Sequence, residues 1–406
     1  MIRNPDKLRR FEGDRIRGGF LVLVLAALAA LPQAARGAAQ REISGRKDFA
    51  GEVVVPAGET WRVLPGSEVR FTGGRWVVRG TLRVEGSKDR PVRIAGDDSF
   101  EGIDFRGGDG SSVSRAVIAG GRRGAQATNA KVSFREVRFE KNGIGLDVGQ
   151  YAQVSVEDCG FESPSRVGLL VKRGGAVAVK ESRFAGAGKA GALVYGVKEA
   201  RFERCRFEGN EAGLTASMPG AEPVVADCTF RENRTGLLAE KLAAPRVEGG
   251  EFRGNRVGLH FTRRSEGTVT GCRIGDNGDG VLVEYSSYPV FRKNVFADNR
   301  EYAVRLRNQS SEWEEELGDT DREGSPGSPF GPGPGVRTDF LPGGGTSPPG
   351  PAPKRENLSG TVDFRENDWG GAQADGENLA AVHDGRDEPF FEYKGKRYRM
   401  DRLLLR

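Results

Sequence analysis

The stretch Val225-Ala-Asp-Cys228-Thr-Phe230-Arg-Glu-Asn233-Arg-Thr-Gly236-Leu-Leu-Ala239 returns 22 residues later as Val247-Glu-Gly-Gly250-Glu-Phe252-Arg-Gly-Asn255-Arg-Val-Gly258-Leu-His-Phe261. Phe139, Phe161, Phe184, Phe207, Phe230, Phe252, Ile274 and Phe296 continue the series at intervals of 22 or 23 residues. Five positions before each stands Phe134, Val156, Val179, Phe202, Val225, Val247, Val269 or Phe291. Asparagine follows six of the eight, and a glycine then opens an apolar alternation such as Leu146/Val148, Leu259/Phe261 or Val281/Val283. Runs this short, with a period of two and frequent Gly and Asn, read as strands rather than amphipathic helices. Self-similarity at a fixed period marks stacked units, none of which buries its own apolar face. Three short strands per turn predict an all-β, single-stranded parallel β-helix solenoid with about 22–23 residues per rung. Each inward Phe then contributes about 1.5–3 kcal/mol on burial. Asparagine suits a tight bend, since it tolerates left-handed backbone and bonds nearby amides. Asn142, Asn210, Asn233, Asn255, Asn277, Asn299 and Asn367 are therefore expected to form an inward ladder.

The rest of the chain divides around this core. Residues 1–39 read as an export signal: Lys7, Arg9, Arg10, Arg15 and Arg17 precede an apolar run from Phe20 to Leu31, with Gly37-Ala38-Ala39 before Gln40. An exported protein, periplasmic, cell-surface or extracellular, is expected, with no stable membrane span once the signal is cleaved. Residues 1–39 hold seven of the 62 Lys/Arg and three of the 57 Asp/Glu. The remaining 55 bases against 54 acids leave a net charge of +1, which gives nucleic-acid binding no support. Four cysteines in an exported chain invite disulfides. Cys205 and Cys228 fall on adjacent rungs, but parallel side chains keep their Cβ atoms about 4.8 Å apart, outside the usual range. Buried free thiols are expected.

Residues 40–130 read as irregular first rungs and an N-terminal cap, 131–308 as the regular repeats, and 309–357 as a Gly/Pro/Ser-rich flexible insertion. The repeat resumes at Val362, Phe364 and Asn367. Beyond it a short helix is expected over Glu377–Val382, and a hairpin turning at Gly395 closes residues 358–406 as a C-terminal cap.

The repeat resembles that of right-handed parallel β-helix proteins of the pectate-lyase-like superfamily. Within it, the nearest subgroup has carbohydrate-binding-type repeats like those of the periplasmic NosD proteins of nitrous-oxide reductase maturation. The resemblance covers most of residues 50–308, and Asn367-Asp368-Trp369-Gly370 is similar to the closing motif of secreted members. It implies a right-handed coil. It also implies an exterior groove where the superfamily's enzymes cluster aspartates for calcium or acid–base work. No such cluster is found here. The outward column Arg135, Glu157, Lys180, Glu203, Ala226, Glu248, Thr270, Arg292 alternates in sign over its first four members, as a cross-strand charge ladder does. The next column, Ser133, Ser155, Ala178, Arg201, Val224, Arg246, Thr268, Val290, has no acid. Glu203 and Glu248, two rungs apart on one column, are one example of the isolated acid pairs that stacked rungs supply anywhere. His260 and His383 are the only histidines, and they do not encode a metal site. No catalytic residue, metal or cofactor is assigned.

After the repeat glycine, an outward column reads Asp147, Leu170, Leu193, Thr215, Leu238, His260, Leu282, Arg305. Its leucines, beside Tyr195 and near Tyr285 and Tyr288, predict an exterior apolar stripe, and such a patch marks a contact. Ligand- or partner-binding candidates are therefore Leu170, Leu193, Tyr195, Leu238, His260, Leu282, Tyr285 and Tyr288. The stripe is covered by the chain's own hairpin or inserted loop, by a partner, or by sugar. The functional reading is a non-catalytic scaffold for a polysaccharide or an envelope protein. The alternatives are a polysaccharide lyase, epimerase or hydrolase, and a NosD-like maturation factor for an envelope metalloenzyme.

Overall fold

A computed structural model describes residues 40–317, 358–370 and 381–405. The segment read as an export signal and most of the Gly/Pro/Ser-rich insertion lie outside the described residues.

Each turn of the coil lays down three strands, and every turn pairs in parallel with the next. The first face carries strands such as Gln153–Glu157, Ala176–Lys180 and Ala200–Glu203. The second face carries the short strands centred on the repeat Phe, such as Gly160–Glu162, Arg183–Ala185 and Arg206–Glu208. The third face, a 13-stranded sheet, carries the strands that begin around the glycine, such as Val167–Lys172 and Ala190–Tyr195. Residues 40–130 supply full rungs of the same coil, with Trp61, Val69, Trp76, Leu82, Ile94 and Phe105 all inward.

The core is a column rather than a ball. Rings of Phe139, Phe161, Phe184, Phe207, Phe230 and Phe252 stack with centroids 4.6–4.9 Å apart and planes within 7° of parallel. The rung spacing of a parallel sheet sets that distance.

Two tight corners shape each turn. Between the first and second faces, Glu136, Asp158, Glu181, Arg204 and Asp227 all have φ of 51–53°. A single left-handed residue bends the strand there without a loop. Between the second and third faces, the left-handed residue is the one before the asparagine: Lys141, Glu232, Asp276 and Asp298, with φ of 50–56°. The ladder asparagines therefore do not take the left-handed conformation expected of them. They stabilise the corner through their side chains instead. Asn233 Oδ1 accepts from the Asn210 amide and from Asn210 Nδ2, both at 2.9 Å, and the same pattern joins Asn233, Asn255, Asn277 and Asn299. Asn142 stands apart from this run, capping Gly121 N at 3.1 Å, because Pro164 and Ala187 occupy the intervening positions.

A second ladder follows the first corner. Ser182 Oγ accepts from Cys159 N at 3.1 Å, Cys228 Sγ from Cys205 N at 3.4 Å, and Asn294 Oδ1 from Cys272 N at 2.9 Å. All four cysteines are free and buried, and burial pushes the Cys159 and Cys272 thiols up to about 12. Asn367 belongs to this ladder, since its Oδ1 accepts from Asn294 N at 2.9 Å. Phe364 accordingly stacks on Phe291 at 4.4 Å, and Trp369 takes the repeat-Phe position against Phe296 at 4.8 Å. The sequence reading placed Phe364 and Asn367 one strand out. Both Phe-x-x-Asn and Phe291-x-x-Asn294 have the same spacing, and only the aromatic that follows distinguishes them. The offset across the insertion is 73 residues, against 22 between neighbouring rungs.

The end of the coil is closed by the chain itself. The start of the insertion is ordered: Ser311–Leu317 forms a helix whose Trp313 packs with Tyr393 and Tyr398 of the antiparallel hairpin Phe390–Tyr393/Lys396–Arg399. An amphipathic turn and two buried aromatics override the flexible composition that follows them. Val382–His383 is a strand on the third face, not the end of a helix, since it pairs with Val304–Arg305; residues 371–380 lie outside the described residues.

Candidate functional site

The sequence-derived candidates all fall on or beside the exterior of the third face, but the expected apolar stripe is not exposed. Leu170 and Leu193 are 3% and 2% accessible, and they bury against Ile144, Val167, Ala190 and Ala212. Those four precede the glycine and also point outward. A Cβ on the glycine itself would meet backbone, as at Gly145, where it would stand 2.5 Å from Gly168 O. Outward columns on both sides of a bare glycine close over it and seal one another. Leu282 is buried too, and Leu238, Tyr195 and His260 are half-buried. Tyr285 and Tyr288 belong to the C-terminal cap: Tyr285 packs against the Trp313 cluster, and Tyr288 Oη bonds Ser311 Oγ at 3.0 Å and Asp401 Oδ2 at 3.1 Å.

What this face does carry is a set of buried acids, each facing a base. Asp104 meets Arg106 at 2.6 Å, and Asp147 meets Arg123 at 3.1 Å and Lys172 at 2.8 Å. Glu240 accepts from Ser217 Oγ at 3.0 Å and lies 3.9 Å from Arg263. His260 Nε2 is 2.7 Å from Glu284 Oε2, and Arg307 also pairs with Glu284. Burial opposes ionisation of Glu284, yet His260 and Arg307 outweigh it and hold the carboxyl below its usual range. Burial pushes Asp279 up, against the pull of Arg305 at 3.4 Å. The sequence reading missed Glu240, Glu284 and Arg307. They occupy the next outward column, Lys172, Tyr195, Ser217, Glu240, Thr262, Glu284, Arg307, which continuing the same alternation two residues further would have exposed.

Chemically, His260 is an oriented imidazole whose carboxylate partner is already committed to Arg307. Acid catalysis on a glycosidic bond needs a carboxyl kept protonated and a second one opposite it. Neither Glu284 nor Glu203 meets the first condition, since Arg204 holds the Glu203 carboxyl down as well. Glu203 and Glu248 have Ala226 between them on the first face.

The first face has a different exterior. Ser133, Ser155 and Ala178 line up on successive rungs as the floor of an open trough of about 530 Å³. Lys131, on the strand of Ser133, and Arg201, on the rung after Ala178, also line it. The charge ladder runs along one edge, with Arg135–Glu157 at 2.7 Å and Lys180–Glu203 at 3.7 Å.

Among curated proteins no relative matches the chain. Among solved structures it is similar to the A-module of the mannuronan C-5 epimerase AlgE4 of Azotobacter vinelandii, with a TM-score of 0.44 and 15% identity, over 61% of this chain and 83% of that one. A family model described as "right handed beta helix region" matches residues 92–230, 123–265 and 219–315. With those matches spanning more than half its length and reproducing the repeat that builds the three faces, the chain belongs to the right-handed β-helix family.

Proposed function

We propose that this protein is an exported, non-catalytic β-helix scaffold that binds a polysaccharide. One observation carries the reading: each buried acid named on the third face is neutralised by a base on its own or a neighbouring rung. A lyase or epimerase must leave a base uncommitted near the sugar, and a hydrolase must hold one acid protonated beside another. Paired charges at Asp104, Asp147, Glu240 and Glu284 give the opposite, a face fixed for hydrogen bonding and stacking; the exception is Asp279, which burial pushes up and which shares Arg305 with Glu301.

The test is an assay of purified protein against neutral and uronate polysaccharides, with binding and turnover measured on the same samples. The expected result is retention on at least one polymer, with no rise in reducing ends, unsaturated ends or altered uronate composition. Any of those products, abolished by Glu284→Gln or His260→Ala, would overturn it.

A further inference from the structure

We infer that the outer face of the C-terminal hairpin, Phe390–Tyr393 and Lys396–Arg399, docks the protein on an anionic lipid bilayer. The inference goes beyond the scaffold reading above, since it concerns a surface outside the three faces of the coil.

Successive side chains of a strand point to opposite sides, so the hairpin has two unlike faces. Phe391, Tyr393 and Tyr398 turn inward and pack with Trp313 of the helix. The outer side carries Phe390 and Glu392 on one arm, opposite Arg399 and Arg397 on the other, and all four are exposed. Phe390 is 39% accessible, and only Tyr151 joins it as an exposed large apolar side chain among the described residues. The Arg397 guanidinium lies over its ring, 4.5 Å from the centroid.

Charge names the partner. Four bases, Lys394, Lys396, Arg397 and Arg399, stand within six residues, and Glu392 is the one acid on either arm. The neighbouring acids are engaged elsewhere: Glu316 by Lys396, Glu312 by the Arg399 amide at 2.8 Å, and Glu388 by His383 at 3.7 Å. Among the described residues neither Arg397 nor Arg399 forms an ion pair, even though Glu392 lies across the strand from Arg397. A bare ring beside two unpaired guanidinium groups fits a bilayer interface. There the ring enters the headgroup–acyl boundary while the arginines meet lipid phosphates. A soluble polyanion would engage the cations and leave the ring in water.

The experiment is co-sedimentation with vesicles of phosphatidylcholine alone and of phosphatidylcholine and phosphatidylglycerol in equal parts, at low and high salt. The protein is purified after export, so that wild type and variants share one N-terminus. Wild type is compared with Phe390→Ser, with the pair Arg397→Glu and Arg399→Glu, and with a control pair of equal charge change, Arg206→Glu and Arg273→Glu, at exposed second-face positions. The expected result is binding to the anionic vesicles that weakens with salt, and that falls about tenfold or more for Phe390→Ser and for the hairpin pair at unchanged melting temperature. Phe390→Trp should bind at least as well as wild type, because tryptophan suits the interface; this gain keeps the test decisive even where a loss coincides with a lower melting temperature. No binding to anionic vesicles would overturn the inference, as would an equal loss for the control pair. Capture of a soluble polyphosphate that depends on the arginines, with vesicle binding indifferent to Phe390→Ser, would replace the bilayer with a soluble polyanion. None of these outcomes alters glycan retention, so the scaffold reading stands or falls separately.

Discussion

Asn255 shows how much one side chain does in a coil of this kind. It is fully buried, and its Oδ1 accepts from Asn233 N at 2.9 Å and Asn233 Nδ2 at 3.0 Å. Its Nδ2 donates to Phe230 O at 3.0 Å and to Asn277 Oδ1 at 2.9 Å. Asn255→Ala removes the side-chain partner of Asn233 N and of Phe230 O, while Asn233 Nδ2 keeps Phe207 O and Asn277 Oδ1 keeps the backbone amide of residue 255, at about 1–3 kcal/mol for each buried group that loses its partner. The expected loss, read by urea unfolding, is about 3 kcal/mol. Phe230→Ala should cost about 3–5 kcal/mol, and Phe230→Leu clearly less, because Ile274 already fills one rung of the same column with an aliphatic side chain. Glu284 gives the pH dependence. Its folded pKa lies below the unfolded value of about 4.3, so its stabilisation is complete above that pH and is lost as pH falls through the lower folded value. Urea midpoints taken from about pH 6 down to about pH 3 should therefore fall more steeply for wild type than for Glu284→Gln. Equal slopes would mean that the His260–Glu284–Arg307 cluster does not hold the charge.

At the scale of the element, the glycine that opens each third-face strand is fixed by close approach rather than by backbone angle. A Cβ on Gly236 would lie 2.5 Å from Gly258 O and 3.1 Å from the Phe252 ring. Gly236→Ala should cost about 1–3 kcal/mol by overpacking, measured by thermal or urea unfolding, and a neutral result would mean that the strands can separate. The closing cap makes a separate prediction. Trp313 sits edge-on to Tyr393 at 5.8 Å, outside the main core. Trp313→Ala should speed proteolysis around residues 311–317 while leaving the global melting temperature almost unchanged, since such a unit opens on its own. The repeat, its period and its three strands were legible because buried columns repeat identity at fixed spacing. The Asn ladder from Asn210 to Asn299 was legible for the same reason. The left-handed positions were not, because Glu, Arg, Asp and Lys all occupy them and leave no residue signature. The leucine stripe was misjudged because alternation gives the direction of a side chain but not what its neighbours cover. Asn367 was misplaced because two columns share one spacing.

For the solenoid as a whole, nearest-neighbour stacking makes the rung the unit that can be removed. Deleting residues 231–252 joins Phe230 to Arg253, so Asn255 falls three residues after Phe230 and takes over the acceptor role of Asn233. Phe207 and Phe230 remain stacked, and Val225 comes to lie beside Val269, both fully buried where they now stand. On the third face the deletion removes Glu240, the acceptor of the buried Ser217 hydroxyl and the ion-pair partner of Arg263. A repeat protein's stability is close to a sum of unit and interface terms, so one missing unit subtracts from the total without dissolving the fold. The shortened chain should unfold in a single transition with a lower m-value, because it exposes less surface. Deleting only residues 231–241 removes half a turn. It would carry outward side chains into the core and break both ladders, and it should yield aggregated protein without a cooperative transition. If the two deletions behaved alike, the rung would not be the unit of stability, and the column-by-column reading of both exterior faces would lose its basis.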